Sequence, residues 1–219
     1  MKPSMHILVL TTVLLVTSSV PILAAGGSSI TTDPADQAAE AYNNGIKNRD
    51  KAWELEKQAA ATTDAKEQGK LEAKAEKEYG KAIRAFRSAT ESDPSMHQAF
   101  SSLGYALRKT GQYEESLAAY NQALELEPGY TEAIEYRAEA YLGLDRLDDA
   151  KQAYMQLFRE DRERADELMA AMQQWVEQRQ TDPRGLDSGI IEEFSAWVEE
   201  RSSVAGSTAS LQQGADRTW

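Results

Sequence analysis

The sequence has no cysteine, which excludes a disulfide scaffold, thiolate zinc sites, cysteine redox chemistry and lipid attachment through a cysteine. It has only two histidines, His6 within an apolar run and His97 at the head of a helical segment, too few to assemble a histidine-based catalytic centre. Bases are also short. Lys and Arg number 24 against 36 Asp and Glu, a net charge of −12, which argues against electrostatic capture of nucleic acid or anionic lipid head groups. There is no calcium-loop spacing, phosphate-cradling glycine loop or nucleotide fingerprint. Asp148-Asp149, Glu192-Glu193 and Asp161 with Glu163 do not make up for this, because successive helix positions point about 100° apart and do not converge on one ion. No catalytic, cofactor-binding or metal site is therefore expected, and the chain reads as a non-enzyme.

Long apolar runs are confined to one place. Lys2 is followed by an uncharged stretch from Ile7 to Leu23, interrupted by Pro21 and ending in Ala24-Ala25-Gly26-Gly27. Residues 1–25 read as a secretory signal peptide cleaved between Ala24 and Gly27; the alternative is an uncleaved N-terminal membrane anchor. Residues 26–34 read as a flexible tether. Export without cysteine fits the periplasm of a bacterial envelope, with no membrane insertion after cleavage.

What the sequence does contain is repetition. Residues 97–130 and 131–164, laid over each other at a spacing of thirty-four, match as Phe100/Ile134, Gly104/Ala138, Tyr113/Leu147, Ser116/Ala150, Tyr120/Tyr154 and Ala123/Leu157. Within a copy, Phe100, Leu103 and Leu107, then Leu117, Tyr120 and Leu124, fall at helical spacing on either side of Thr110-Gly111-Gln112, so each unit is helix, turn, helix. Tyr79, Ala82, Ile83, Phe86, Ala89 and Pro94 form an earlier, partial copy. With Leu103-Gly104, Gly111, Tyr113, Tyr120, Ala123 and Pro128 in one copy and Ala138, Tyr141, Ala150, Tyr154 and Leu157 in the next, the chain resembles the tetratricopeptide-repeat family. The resemblance implies an all-α fold, a right-handed superhelical stack of helical hairpins whose inner face binds proteins or peptides, and no catalysis.

Around the two repeats, residues 35–94 read as a first, elongated and divergent hairpin. It has an N-cap at Asp33, a turn near Thr62-Thr63-Asp64, an alanine-rich tip, and arms projecting about two turns beyond the other hairpins. Gly45 and Arg49 do not fit the usual first-helix pattern. Residues 165–201 read as capping helices, the first closing with Gln178, Arg179 and Gln180, and residues 202–219 as a disordered tail carrying Trp219. Trp53, Trp175 and Trp197 lie on apolar stripes and are expected in the core. The stripe Ile190, Phe194 and Trp197 has two readings: a permanent cap on Leu168, Met172 and Trp175, or a built-in competitor lying in the inner groove near Tyr105 and Leu142.

Transferred by position from the family, the inner groove comprises Gln98, Ser101, Tyr105, Arg108 and Lys109 of one repeat and Glu132, Glu135, Glu139 and Leu142 of the next. Its basic entry and acidic middle favour a protein or peptide partner of basic character. From Ser95 to Glu200, ten bases face twenty-two acids, so the negative charge belongs to the repeats. The expected role is a non-enzymatic adaptor or scaffold in the bacterial envelope, without cofactor. The competing readings are a self-assembling structural protein and an accessory subunit of a cell-wall or polysaccharide enzyme; oligomeric state stays open between them.

Overall fold

Asp33 and Pro34 open the first helix of the computed structural model, which describes residues 33–215. The expected signal peptide, the tether up to Thr32, and Trp219 lie outside the described residues. Helix α1 (Pro34–Ala61) starts where the Asp33 carboxylate accepts the Ala35 N–H at 3.0 Å, with proline at a first-turn position whose missing N–H costs nothing. Asp64 caps α2 (Ala65–Ser92) in the same way, accepting from the N–H groups of Lys66 and Glu67 at 2.9 and 3.1 Å. Then follow α3 (His97–Lys109), α4 (Tyr113–Leu126), α5 (Thr131–Gly143), α6 (Leu147–Glu160), α7 (Arg162–Thr181) and α8 (Ser188–Ala215). Pro94, Pro128 and Pro183 all fall between helices, where a missing donor breaks no ladder. The described residues form an all-α stack of helical hairpins.

The stack is built around one contact made three times. Phe86, Tyr120 and Tyr154 stand thirty-four residues apart on α2, α4 and α6, and each is fully buried at 0% exposure. Each meets a small residue on the preceding helix. A Cβ on Gly45 would lie 2.4 Å from the Phe86 ring and one on Gly104 2.7 Å from the Tyr120 ring, so neither position has room for a side chain. Ala138 fills the corresponding position beside Tyr154. Gly45 is therefore the pattern residue of the first hairpin rather than a departure from it.

The register slipped from view because Gly45 and Phe86 are 41 residues apart where Gly104 and Tyr120 are 16 apart, an insertion of 25 residues. Shared between the arms, that is about three turns on each, more than the two expected. Two polar knots hold the extension. The buried Glu78 carboxylate accepts from Lys81 at 2.7 Å and Lys51 at 3.0 Å, and these two hydrogen bonds pull it below the usual carboxylate range. Glu56 accepts from the Tyr79 hydroxyl at 2.9 Å and pairs with Lys109 at 2.9 Å, tying α1 to the end of α3.

At the other end, α7 starts at Arg162, earlier than the expected boundary at residue 165. Asp161 causes this by serving two helices: it ends α6, and its carboxylate accepts the Arg164 N–H at 3.2 Å and the Thr131 hydroxyl at 2.7 Å. The α3–α4 turn needs Gly111 at φ 74°, and thirty-four residues on, Asp145 adopts φ 56°. The carboxylate explains the exception, because it accepts from Arg179 at 3.0 Å and from the Trp175 indole N–H at 3.2 Å. Arg179 is thus buried rather than a polar terminus of α7.

Helix α8 is a cap. Phe194 meets Trp175 edge-on at 5.0 Å, Trp197 meets Tyr154 at 5.6 Å, and Ile191, Phe194 and Val198 are buried on α6 and α7. The groove-competitor reading of this stripe is not what the chain does. Ile190 departs from the expected set at 45% exposure, its place against the core being taken by Ile191. The backbone is also helical on to Ala215, past the expected start of disorder at Ser202. Nothing rigidly breaks the helix at Arg201, and the Ser202 hydroxyl accepts from Gln173 of α7 at 3.0 Å.

Candidate functional site: the inner groove

Helices α1, α3, α5 and α7, the first members of their hairpins, lie alongside one another and present one face as a groove. Two hollows open on it. One, about 180 Å³, is lined by Arg49, Trp53, Ser102, Tyr105, Glu132 and Tyr136. The other, about 280 Å³, lies toward the C-terminal ends of these helices, where Arg108, Lys109 and Glu139 face Gln174 and Gln178 of α7 and Arg184 beyond it.

The nine expected groove residues divide. Gln98, Tyr105, Arg108, Lys109, Glu132 and Glu139 keep access to the groove. Leu142 is 4% exposed, packed in the core cluster of α5, α6 and α7 at the floor of the larger hollow, and its carbonyl accepts the Trp175 indole N–H at 2.9 Å. Arg108, its counterpart one repeat earlier, is itself largely buried, with 14% of its side chain exposed. Ser101 and Glu135, at equivalent positions, are also buried between neighbouring helices.

Sequence reasoning missed Arg49, Trp53, Ser102, Tyr136 and Arg164. Ser102 and Tyr136 are thirty-four residues apart, so one more transferred position would have found them. Trp53, expected in the core, is 52% exposed and lines the smaller hollow beside Ser102 and Tyr105. Arg164 enters from the early first turn of α7.

The charges of the groove are largely paired among themselves. Arg108 donates to Glu139 at 2.5 Å and Arg164 to Glu135 at 2.7 Å, while Arg49 pairs with Asp50 at 2.7 Å. Both guanidinium groups of the middle also lie against aromatic faces. Arg108 is 5.3 Å from the Tyr105 ring and 5.5 Å from that of Tyr136, and Arg164 is 5.8 Å from Tyr136. The two tyrosines meet edge-on at 5.2 Å. Burial pushes the Glu135 carboxyl up to about 7; Arg164 opposes the shift, and Glu139 and Glu167 add to it. Among the described residues no group of three or more His, Cys, Asp or Glu is placed to hold a metal ion, and no helix is long and apolar enough to cross a membrane.

Two family profiles, both described as tetratricopeptide repeat, match residues 66–131 and 107–176, a continuous span of about half the chain. The chain belongs to the tetratricopeptide-repeat family. Among curated proteins, this repeat protein is similar to Protein STIP1 homolog of Dictyostelium discoideum, with 28% identity over 99 residues, 45% of this chain and 17% of that protein. It is also similar to the Peroxisomal targeting signal receptor of Kluyveromyces lactis, with 37% identity over 59 residues, 27% of this chain and 10% of that one. The matches thus span less than a fifth of either relative. Among solved structures, it is similar to the first TPR of Spaghetti (RPAP3) bound to HSP90 peptide SRMEEVD, at TM-score 0.40 and 23% identity, covering 57% of this chain and 93% of that one. A second is the MamA RS-1 ArsTM double mutant, at TM-score 0.39 and 19% identity, covering 77% and 97%.

Proposed function

We propose that this chain is a non-enzymatic adaptor of the bacterial cell envelope, exported through residues 1–25, that holds a partner protein or peptide in the groove of α1, α3, α5 and α7. The observation that carries the reading is the hollow of Trp53, Tyr105 and Tyr136. It gathers a 52% exposed tryptophan and two half-buried tyrosines around one opening on the face that the family uses for binding. Similarity to relatives whose names describe peptide-bound repeats and a targeting receptor supports a peptide or protein as the occupant. The acidity of the repeats supports a partner of basic character, steered by long-range attraction.

The test is a pull-down from bacterial envelope extract with residues 26–219 as bait, beside the same bait carrying Tyr105→Ala and Tyr136→Ala. The reading expects a partner held by the first bait and lost from the second, and intact mass of the exported chain starting between Ala25 and Ser28. A partner retained equally by both baits would place binding outside the groove.

A further inference from the structure

The hollow of the groove has a charge left over. Above about pH 7, where Glu135 is ionised, each cation around it has a carboxylate of its own: Arg49 has Asp50 at 2.7 Å, Arg108 has Glu139 at 2.5 Å, and Arg164 has Glu135 at 2.7 Å. Glu132 is the remaining acid of the lining. Its nearest cation is Arg164 at 3.7 Å, already committed at the shorter distance, and its side chain is 36% exposed. Beside it stand the rings of Tyr105, Tyr136 and Trp53. Lys57 sits 4.2 Å from the centre of the Trp53 ring, so the indole already attracts a cation, and the side chain stays 52% exposed.

The Trp53 ring and one under-neutralised carboxylate make a receptor for a flat or compact cation, with Tyr105 and Tyr136, which already hold Arg108 and Arg164, as its apolar sides. We propose that this hollow is a subsite for a lysine or arginine side chain of the bound peptide, with Glu132 supplying the counter-charge and Trp53, brought in by the 25-residue insertion, supplying the aromatic wall. The inference rests on the groove being the partner site, and it names the chemistry recognised there. It also gives the insertion a purpose. Without those residues α1 would stop near residue 50, and the hollow would have no wall opposite Tyr105. The repeats' excess of acids steers the same class of ligand toward the groove.

The experiment selects heptapeptides from a random displayed library on the full chain, then measures the affinity of a selected peptide and of its copy with the base replaced by citrulline or norleucine. Both are titrated against wild type, Glu132→Gln and Trp53→Ala, with circular dichroism verifying that each variant is folded. The proposal expects a lysine or arginine at a fixed place in the selected peptides. It also expects the neutral copy to bind wild type about tenfold more weakly, and that penalty to shrink to about twofold or less on Glu132→Gln. Trp53→Ala should weaken the basic peptide by about threefold to tenfold without lowering the melting temperature. Selected peptides without a base, yet sensitive to Tyr105→Ala, would overturn the cation subsite alone. Peptides that ignore every groove variant would overturn both the subsite and the groove reading. An undiminished penalty on Glu132→Gln would also overturn it.

Discussion

Gly45 and Gly69 are both helical glycines, and they should respond to alanine in opposite directions. Nothing lies within 4 Å of a Cβ at Gly69, so Gly69→Ala should stabilise by ~0.5–1 kcal/mol through the lower backbone entropy of the unfolded chain. At Gly45 the new carbon would sit 2.4 Å from the Phe86 ring, and overpacking should outweigh that gain, costing about 1–3 kcal/mol. Urea unfolding of the two variants against wild type checks the pair. Equal shifts would mean that Gly45 is not a contact residue and that the first hairpin is out of register.

Glu135 carries the pH dependence of the groove. Its carboxyl is raised from an ordinary 4.5 to about 7, chiefly by burial, with Glu139 and Glu167 adding and Arg164 opposing. Between those values the native state holds a proton that the unfolded chain has released. The stabilising contribution is therefore complete below about pH 4.5 and is lost as pH rises through about 7. Relative to Glu135→Gln, wild type should lose on the order of 1–3 kcal/mol between pH 4.5 and pH 8. Urea midpoints of both proteins across that window measure it. A difference that stays flat would show that the Arg164 pair, rather than burial, governs the carboxyl.

At the scale of the element, the cap is the part most open to direct attack. Helix α8 buries Ile191, Phe194 and Val198 on α6 and α7, and Asp145 holds α7 beneath it through Trp175 and Arg179. Deleting residues 186–219 should lower the melting temperature markedly or cause aggregation, since the uncovered apolar face of a last repeat meets water. Asp145→Ala should cost about 2–4 kcal/mol, because it keeps the left-handed backbone and strips a buried arginine of its partner. Asp145→Gly should cost less by about 1 kcal/mol, as the strain is relieved. A truncated chain as stable as the full one would remove α8 from the core.

These elements also show what a sequence discloses and what it withholds. Phe86, Tyr120 and Tyr154 repeat because one packing contact repeats, so the stack and the register of its two complete repeats could be read from spacing, while the stripe of α8 fitted a cap and a groove competitor alike. The insertion hid Gly45 by changing the interval to its partner. Trp53 was misassigned because a stripe at spacings of four and seven marks a helix face without saying whether that face meets a neighbour or borders an open hollow. Leu142 lines the larger hollow as expected, but its burial in the core of α5, α6 and α7 depends on contacts across helices that spacing does not show. Groove charges were legible as residues but not as pairs, since Arg108–Glu139 and Arg164–Glu135 join different helices.

For the whole molecule, the acids lie on the repeats and the inserted hairpin is nearly balanced, with nine bases and eight acids over residues 47–81. If the partner is basic, as proposed, the stack would attract it from a distance and the aromatic hollow would hold it, so association should slow with salt more than dissociation quickens. The central claim is that the partner lies in the inner groove. Site-specific photo-crosslinking in cells that produce the chain tests it most directly, with benzoyl-phenylalanine replacing Ser102 in the hollow or Gln152 on the exposed surface of α6. The account predicts a discrete adduct from position 102, competed by a selected basic peptide, and none from position 152. An adduct formed only from position 152, or one from position 102 that the peptide cannot displace, would contradict it.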